Sequence, residues 1–320
     1  MSLLLAADVG GTKTLLALGR AGAPGTSRRY ENAAFPDFPA LLAAFLADEG
    51  LAGPALAAAC FAVAGPAGPG SGGAVRELTN RPGWIVDAPG LARRFGIERA
   101  GLVNDFAGAA LGVLRLGPDE RVTLQAGAPD PAAPKLVLGP GTGLGVAALR
   151  GEDVIASEGG HVGFAPRDAE QAALWAELAG QHGRVTAERI VSGSGLAACY
   201  RHCLRRAGRP VPDDLLPAHV EPAAREANDP QARCALELFV DVFGAFAGDM
   251  AMTFLAQGGV YVVGGIAPKI LPWLQDGRFL AAFNDKYEHA ALAATLPVHV
   301  VLAPDVGLRG AFVAAARLAQ

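Results

Sequence analysis

The chain has 320 residues, 51% hydrophobic and 18% charged, with a formal net charge of −4. That supplies enough apolar side chain for a large buried core and two lobes, and the mild negative charge gives no general attraction to nucleic acid. Four cysteines, Cys60, Cys199, Cys203 and Cys234, make no CxxC pair and predict reduced core thiols. The apolar run 3–7 is too short for an export signal, and 240–266 is broken by Asp249, Gln257 and several glycines, so neither predicts a membrane segment and the expected location is the cytoplasm.

In chain order, residues 3–7 form an apolar run, Asp8 to Thr12 a glycine turn and 14–18 a second run, which predicts a β-hairpin with Gly10 and Gly11 at its tip. Glycines there allow positive φ and close backbone approach, so such a tip can aim amide N–H groups at an anion; a plain tight turn is the rival reading. Asp8 strains that rival, because a carboxylate ending a buried strand needs a partner, and hydrated Mg²⁺ is one. Residues 38–49 predict an amphipathic helix stopped by Gly50, 55–64 a buried strand, and 65–73 a glycine- and proline-rich loop. Strands at 75–78, 85–86 and 102–103, with a short helix at 89–95, complete one α/β unit in the first hundred residues. Asn104 and Asp105 then stand where a strand gives way to an Ala-rich helix. They read either as a helix N-cap or, at the carboxyl end of a strand in an open sheet, as a ligand-binding pair with Asp105 the general base; this segment alone favours the cap.

Beyond the helix that begins at Phe106, residues 126–134 predict a long surface loop, the best place for an insertion. Residues 135–138, the turn Gly139 Pro140 Gly141 Thr142 Gly143, and 144–149 repeat the N-terminal pattern of strand, glycine turn with threonine, strand. Two such hairpins predict a duplicated fold whose turns hold one polyphosphate. No GxxxxGK[ST] pattern exists and a strand follows the GxGxG at Gly141, which disfavours a Walker A loop and a dinucleotide-binding unit. Glu158 and His161 flank Gly159 and Gly160, which let the backbone bend so that carboxylate and imidazole converge on one small polar ligand; one His and one Glu fall short of a zinc site. Glu188 is either a further ligand or a solvated helical side chain. Residues 230–256 predict a long core helix and 260–263 a buried strand, with Gly264 and Gly265 a close-approach turn fit for a flat adenine ring. Residues 298–302 predict a last strand, and 308–318 an amphipathic helix returning to the first lobe.

Taken together and in order, Asp8 Val9 Gly10 Gly11 Thr12, Asn104 Asp105, Gly141 Thr142 Gly143 Leu144 Gly145, Glu158 Gly159 Gly160 His161, Glu188 Arg189 and Gly264 Gly265 Ile266 resemble the bacterial ATP-dependent glucokinases over essentially the whole chain. The resemblance implies an α/β, actin-like (ribonuclease H-like) duplicated fold of two lobes with a cleft between them, here 1–104 plus 304–320 and 105–303, commonly as a homodimer. It makes Asp105 the base, assigns Asn104, Glu158, His161 and Glu188 with it to the glucose hydroxyls, and faces Asp8 to Mg²⁺ through water. Gly10, Gly11, Thr12 and Lys13, with Gly141, Thr142 and Gly143, would hold the ATP phosphates, and Gly264 and Gly265 would border adenosine. Pro140, which lacks an N–H, departs from a turn built of donors, and Gly163 stands where relatives often carry Asp. The related ROK group usually has a Cys-rich zinc motif near its sugar-binding His; its absence here sets the chain outside that group. The rivals are a kinase for another hexose, such as mannose or an amino sugar, and a non-catalytic sugar sensor of the same fold, which would need a DNA-binding element that no segment before Leu3 has room for.

Overall fold

Strand β1, Leu3–Val9, is buried along most of its length, and its unbroken apolar run suits a central strand. In the computed structural model, which describes residues 2–20, 23–51, 56–65, 73–79 and 81–320, it lies in a five-stranded sheet with β2 (Lys13–Arg20), β3 (Ala23–Glu31), β4 (Leu56–Val63) and β7 (Ile97–Asn104). The order is β3-β2-β1-β4-β7, antiparallel from β3 to β1 and parallel from β1 through β4 to β7. A separate two-stranded ribbon joins β5 (Val75–Glu77) to β6 (Ile85–Asp87). Most of the loop predicted at 65–73 lies outside the described residues, as does the first residue of the strand expected at 55–64.

Helix α1, Phe38–Asp48, starts where Asp37 accepts a hydrogen bond from the Ala40 N–H at 2.7 Å, and it buries Phe38, Leu41, Leu42 and Phe45 against the sheet. Helix α2, Ala88–Phe95, is capped by Asp87 and ends at Gly96 in the left-handed region (φ 63°). Helix α3, Asp105–Val113, follows β7 without a break and packs on the C-terminal helix, Val306–Leu318. These two helices touch backbone to backbone. A methyl group on Gly112 would overlap the Val306 carbonyl, and one on Gly310 the Gly108 carbonyl. The C-terminal helix also lies against β1, β4 and β7, so residues 303–320 belong to the first compact unit, Met1–Gly117 with Ala303–Gln320. The division therefore falls after Gly117, not at the expected 104/105, because α3 is packed into the first unit by that helix.

The second unit, Pro118–Leu302, is built on a six-stranded sheet of β8 (Arg121–Gln125), β9 (Lys135–Pro140), β10 (Leu144–Arg150), β11 (Asp153–Ser157), β12 (Val260–Val262) and β13 (Val298–Val301). Its order, β11-β10-β9-β12-β13-β8, repeats the first sheet: an antiparallel meander of three consecutive strands, then two parallel strands, with β8 added antiparallel at the edge. The repeat seen in the two hairpins thus extends through both sheets. The long helix Pro230–Phe254 carries the core, with Leu236, Phe239, Val240 and Phe243 fully or nearly fully buried. The exposed loop 126–134 is tied down, the Ala128 N–H donating to Thr295 O at 2.7 Å and the Asp130 N–H to Gln257 O at 2.9 Å. All four cysteines are free thiols, and no helix among the described residues is long and apolar enough to cross a membrane.

Candidate active site

In the first unit the geometry at residues 104 and 105 shows which of the two caps the helix. Asn104 is the cap: its Oδ1 accepts from the Phe106 N–H at 2.9 Å and the Ala107 N–H at 3.3 Å. Asp105 is the first helical residue, half-buried, with Oδ1 accepting from the Phe106 N–H at 2.9 Å. Because the Asn104 oxygen is committed to the helix, the group it retains for a ligand is its NH₂, a donor.

Asp8, at the end of β1, lies against the start of the C-terminal helix, where a methyl group on Gly307 would come within 2.5 Å of its Oδ2. Burial first, and the negative charge of Asp105 second, push the Asp8 carboxyl up to about 7, while Lys13 pulls the other way. A desolvated carboxylate beside a second carboxylate is what a hydrated divalent cation relieves, and an oxygen donor of this kind suits Mg²⁺. The turn that follows is braced by Asn32, a fully buried residue that the sequence did not single out. Its Nδ2 donates to the Gly10 carbonyl at 2.7 Å, its backbone N–H to Thr12 O at 2.8 Å, and its Oδ1 accepts from the Thr14 hydroxyl at 2.8 Å.

The glycines of this turn, Gly10 and Gly11, do not adopt the positive φ that glycine allows, and the Gly10 N–H is used across the hairpin, donating to Lys13 O at 3.1 Å. The amides of Gly11 and Thr12 donate to no acceptor among the described residues. Thr12 and Lys13 are exposed.

In the second unit, the turn between β9 and β10 behaves alike. The Gly141 N–H donates to Gly143 O at 2.8 Å, so Gly141 and Pro140 both withhold a donor, and the amides of Thr142 and Gly143 are the ones without an acceptor among the described residues. Gly264 has φ 93°, and a methyl group there would stand 2.6 Å from the Pro140 carbonyl, so the turn after β12 needs glycine for conformation and for space. Gly265 beside it is open, with nothing for an added methyl to meet within 4 Å.

Glu158, His161 and Glu188 come together. The His161 Nδ1 is 3.8 Å from Glu158 Oε2 and its Nε2 is 3.9 Å from Glu188 Oε1, too long for hydrogen bonds and so spaced that each oxygen stays available to a third group. Gly159 and Gly160 were expected to bend the chain, but neither has positive φ. They are needed for space: the short helical turn Gly159–His161 lies flat on β10, where a side chain on Gly160 would overlap the Leu144 carbonyl and one on Gly159 would press on Val146. Nor is Glu188 a solvated helical residue. It sits in the single turn Ala187–Arg189 with its side chain 32% exposed, and its Oε2 accepts from the Leu144 N–H at 2.8 Å.

Two sheets of this repeated topology, each with a glycine turn between its first two strands, define the actin-like sugar kinase fold. The Glucokinase family model matches residues 5–318. The glucokinase of Nostoc sp. is 37% identical over 99% of this chain and 100% of its own, and that of Chromohalobacter salexigens 39% identical over 96% and 95%. Among solved structures, a glucokinase from an Antarctic psychrotroph superposes with a TM-score of 0.84 at 29% identity, covering 99% of both chains. A ROK family glucokinase from Streptomyces griseus, at 19% identity and a TM-score of 0.68, shares the fold. The chain belongs to the glucokinase family, enzymes that phosphorylate glucose with ATP.

Proposed function

We propose that this chain transfers the γ-phosphoryl group of ATP to the 6-hydroxyl of glucose with Asp105 as general base. The observation that carries the reading is the arrangement at the end of β7: Asn104 takes the cap, and Asp105 lies beside Asp8 with its carboxylate at the carboxyl end of the strand. Phosphoryl transfer asks the protein for positioning and charge more than for covalent chemistry. Asp105 accepts the hydroxyl proton as the oxygen attacks phosphorus and ADP leaves. Glu158 and Glu188 accept from sugar hydroxyls, His161 offers a ring nitrogen, and Asn104 donates through its NH₂. The free amides of Gly11, Thr12, Thr142 and Gly143, with the two threonine hydroxyls and Lys13, receive phosphate oxygens, and Gly264 and Gly265 border adenosine. Asp8 would hold Mg²⁺ through water, and the cation supplies charge neutralisation on the phosphates. We place the enzyme in the cytoplasm as a homodimer, with no nucleic-acid or membrane partner.

The test is coupled ADP release across glucose, mannose and amino sugars with ATP as donor. Glucose-dependent release is expected. Release no greater than buffer with glucose, alongside good turnover of another acceptor, overturns the substrate; no release with any acceptor supports the sugar-sensing rival.

A further inference from the structure

The two oxygens of Glu188 face different things. Oε1 is turned to His161 and, through it, to Glu158; Oε2 accepts from the Leu144 N–H at the base of the second glycine turn. Leu144 is buried while Thr142 at the tip is exposed, so the bonded amide lies at the root of the turn and not among the donors it presents. Gly143 must be glycine for this carboxylate to reach it, since a methyl group there would overlap Oε2. The segment around Glu188 is itself fastened to both neighbours. Toward the 158–164 loop, the Ala187 N–H donates to Val162 O at 2.9 Å and the Phe164 N–H to Val185 O at 3.1 Å. Toward the turn, the Gly193 N–H donates to Gly141 O at 2.9 Å. One short stretch of chain therefore braces the sugar-reading loop and the phosphate turn together.

We propose that Glu188 is a positioning residue for the second phosphate turn as well as a sugar residue, holding Leu144 and hence the amides of Thr142 and Gly143 in place even when no sugar is bound. The proposal rests on the assignment of this turn to ATP. A residue serving sugar alone leaves sugar-free nucleotide binding untouched, whereas loss of a charge-assisted brace weakens it. Gln at 188 keeps an oxygen for the Leu144 N–H but loses the negative charge toward the sugar, so the two duties separate by substitution.

The experiment titrates Mg-ADP into the full chain without glucose, and glucose into the same variants. Glu188→Ala is expected to weaken Mg-ADP by roughly tenfold, the scale of one hydrogen bond to a charged group, whereas Glu188→Gln should stay within about twofold of wild type while both variants lose glucose affinity. Glu188→Asp, which keeps the charge but withdraws the oxygen from the Leu144 N–H, should weaken Mg-ADP in the same direction and keeps the test sound if Glu188→Ala does not fold. Unchanged Mg-ADP binding in Glu188→Ala and Glu188→Asp overturns the brace. Tighter binding overturns it too, since the carboxylate would then be blocking a phosphate donor. Absence of glucose-dependent ADP release by wild type is a separate result, and sinks the kinase assignment itself.

Discussion

The glycine turns 10–12 and 141–143 close equivalent hairpins in two repeated sheets, yet they are braced by different chemistry. The first is held by Asn32, a neutral, buried amide whose groups are spent on the turn and on Thr14, while the titratable group nearby is Asp8. The second is held by a carboxylate that also looks toward His161. On the proposed function, structural support and chemistry are separate residues in one unit and a single residue in the other. A duplicated scaffold therefore conserves the shape of a turn without conserving what holds it, and the first turn is the one whose brace can be cut without touching a ligand.

The largest break in this comparison comes at Asp105, the base proposed for the first unit. Asp105→Asn should lower kcat at least about a hundredfold, the smaller end of what a positioned base contributes, with folding and glucose affinity largely kept, because Asn104 still caps α3. Near wild-type kcat would place the base elsewhere. Asp8 gives the next effect, read as stability in metal-free buffer. Its folded carboxyl is raised from 3.8 to about 7, so between those pH values the folded state binds more protons than the unfolded one, and wild-type stability falls as pH rises through that window. Asp8→Asn should remove that slope, making the variant more stable than wild type at pH above about 7 and bringing the two curves together toward the unfolded value; parallel denaturant melts across pH would contradict it.

Asn32→Ala tests the neutral brace. It leaves the Gly10 carbonyl and Thr14 hydroxyl without their buried partner, so a loss of about 1–3 kcal/mol is expected in chemical denaturation. Mg-ADP affinity should fall and glucose affinity hold, in contrast to Glu188→Ala, which is expected to lower both. The smallest effect belongs to Asn104→Ser. Serine caps as well as asparagine but offers no NH₂, so the melting point should stay put while the glucose KM rises by roughly fivefold to tenfold, one hydrogen bond's worth; a destabilised protein with unchanged KM would make Asn104 a cap and nothing more.

Central strands and core helices were legible in the sequence because burial writes a pattern: the runs behind β1, β4, β9 and β12 and the apolar face of Pro230–Phe254 all appear where expected. Edge strands were not. β3 carries Arg28, Arg29 and Glu31, β11 shows neither an apolar run nor a clean alternation, and β8 alternates polar and apolar side chains over only five residues, too short a stretch to stand out. The candidate ligands were legible as a set of motifs, but the supports were not. Asn32 acts on a turn that precedes it by about twenty residues with nothing local to mark it, and Gly307 matters because Asp8 lies against it from the far end of the chain. Gly159 and Gly160 were visible yet misread, since sequence distinguishes poorly between a glycine chosen for conformation and one chosen for room.

The placement of Val306–Leu318 has a consequence for how this protein is made. The ribosome delivers the first sheet early, but the helix that covers β1, β4 and β7 arrives only after the whole of Pro118–Leu302 has been synthesised. Until then Leu4 and Ala6, which share a strand face with Asp8, belong to a sheet side lacking part of its cover, and Asp8 lacks the Gly307 backbone against which it is seated. The second unit, continuous in the chain, can fold in the interval. Nascent chains stalled before residue 303 should therefore hold a protease-resistant second unit and a first unit that engages chaperones, and supplying the missing helix in trans should rescue only the latter.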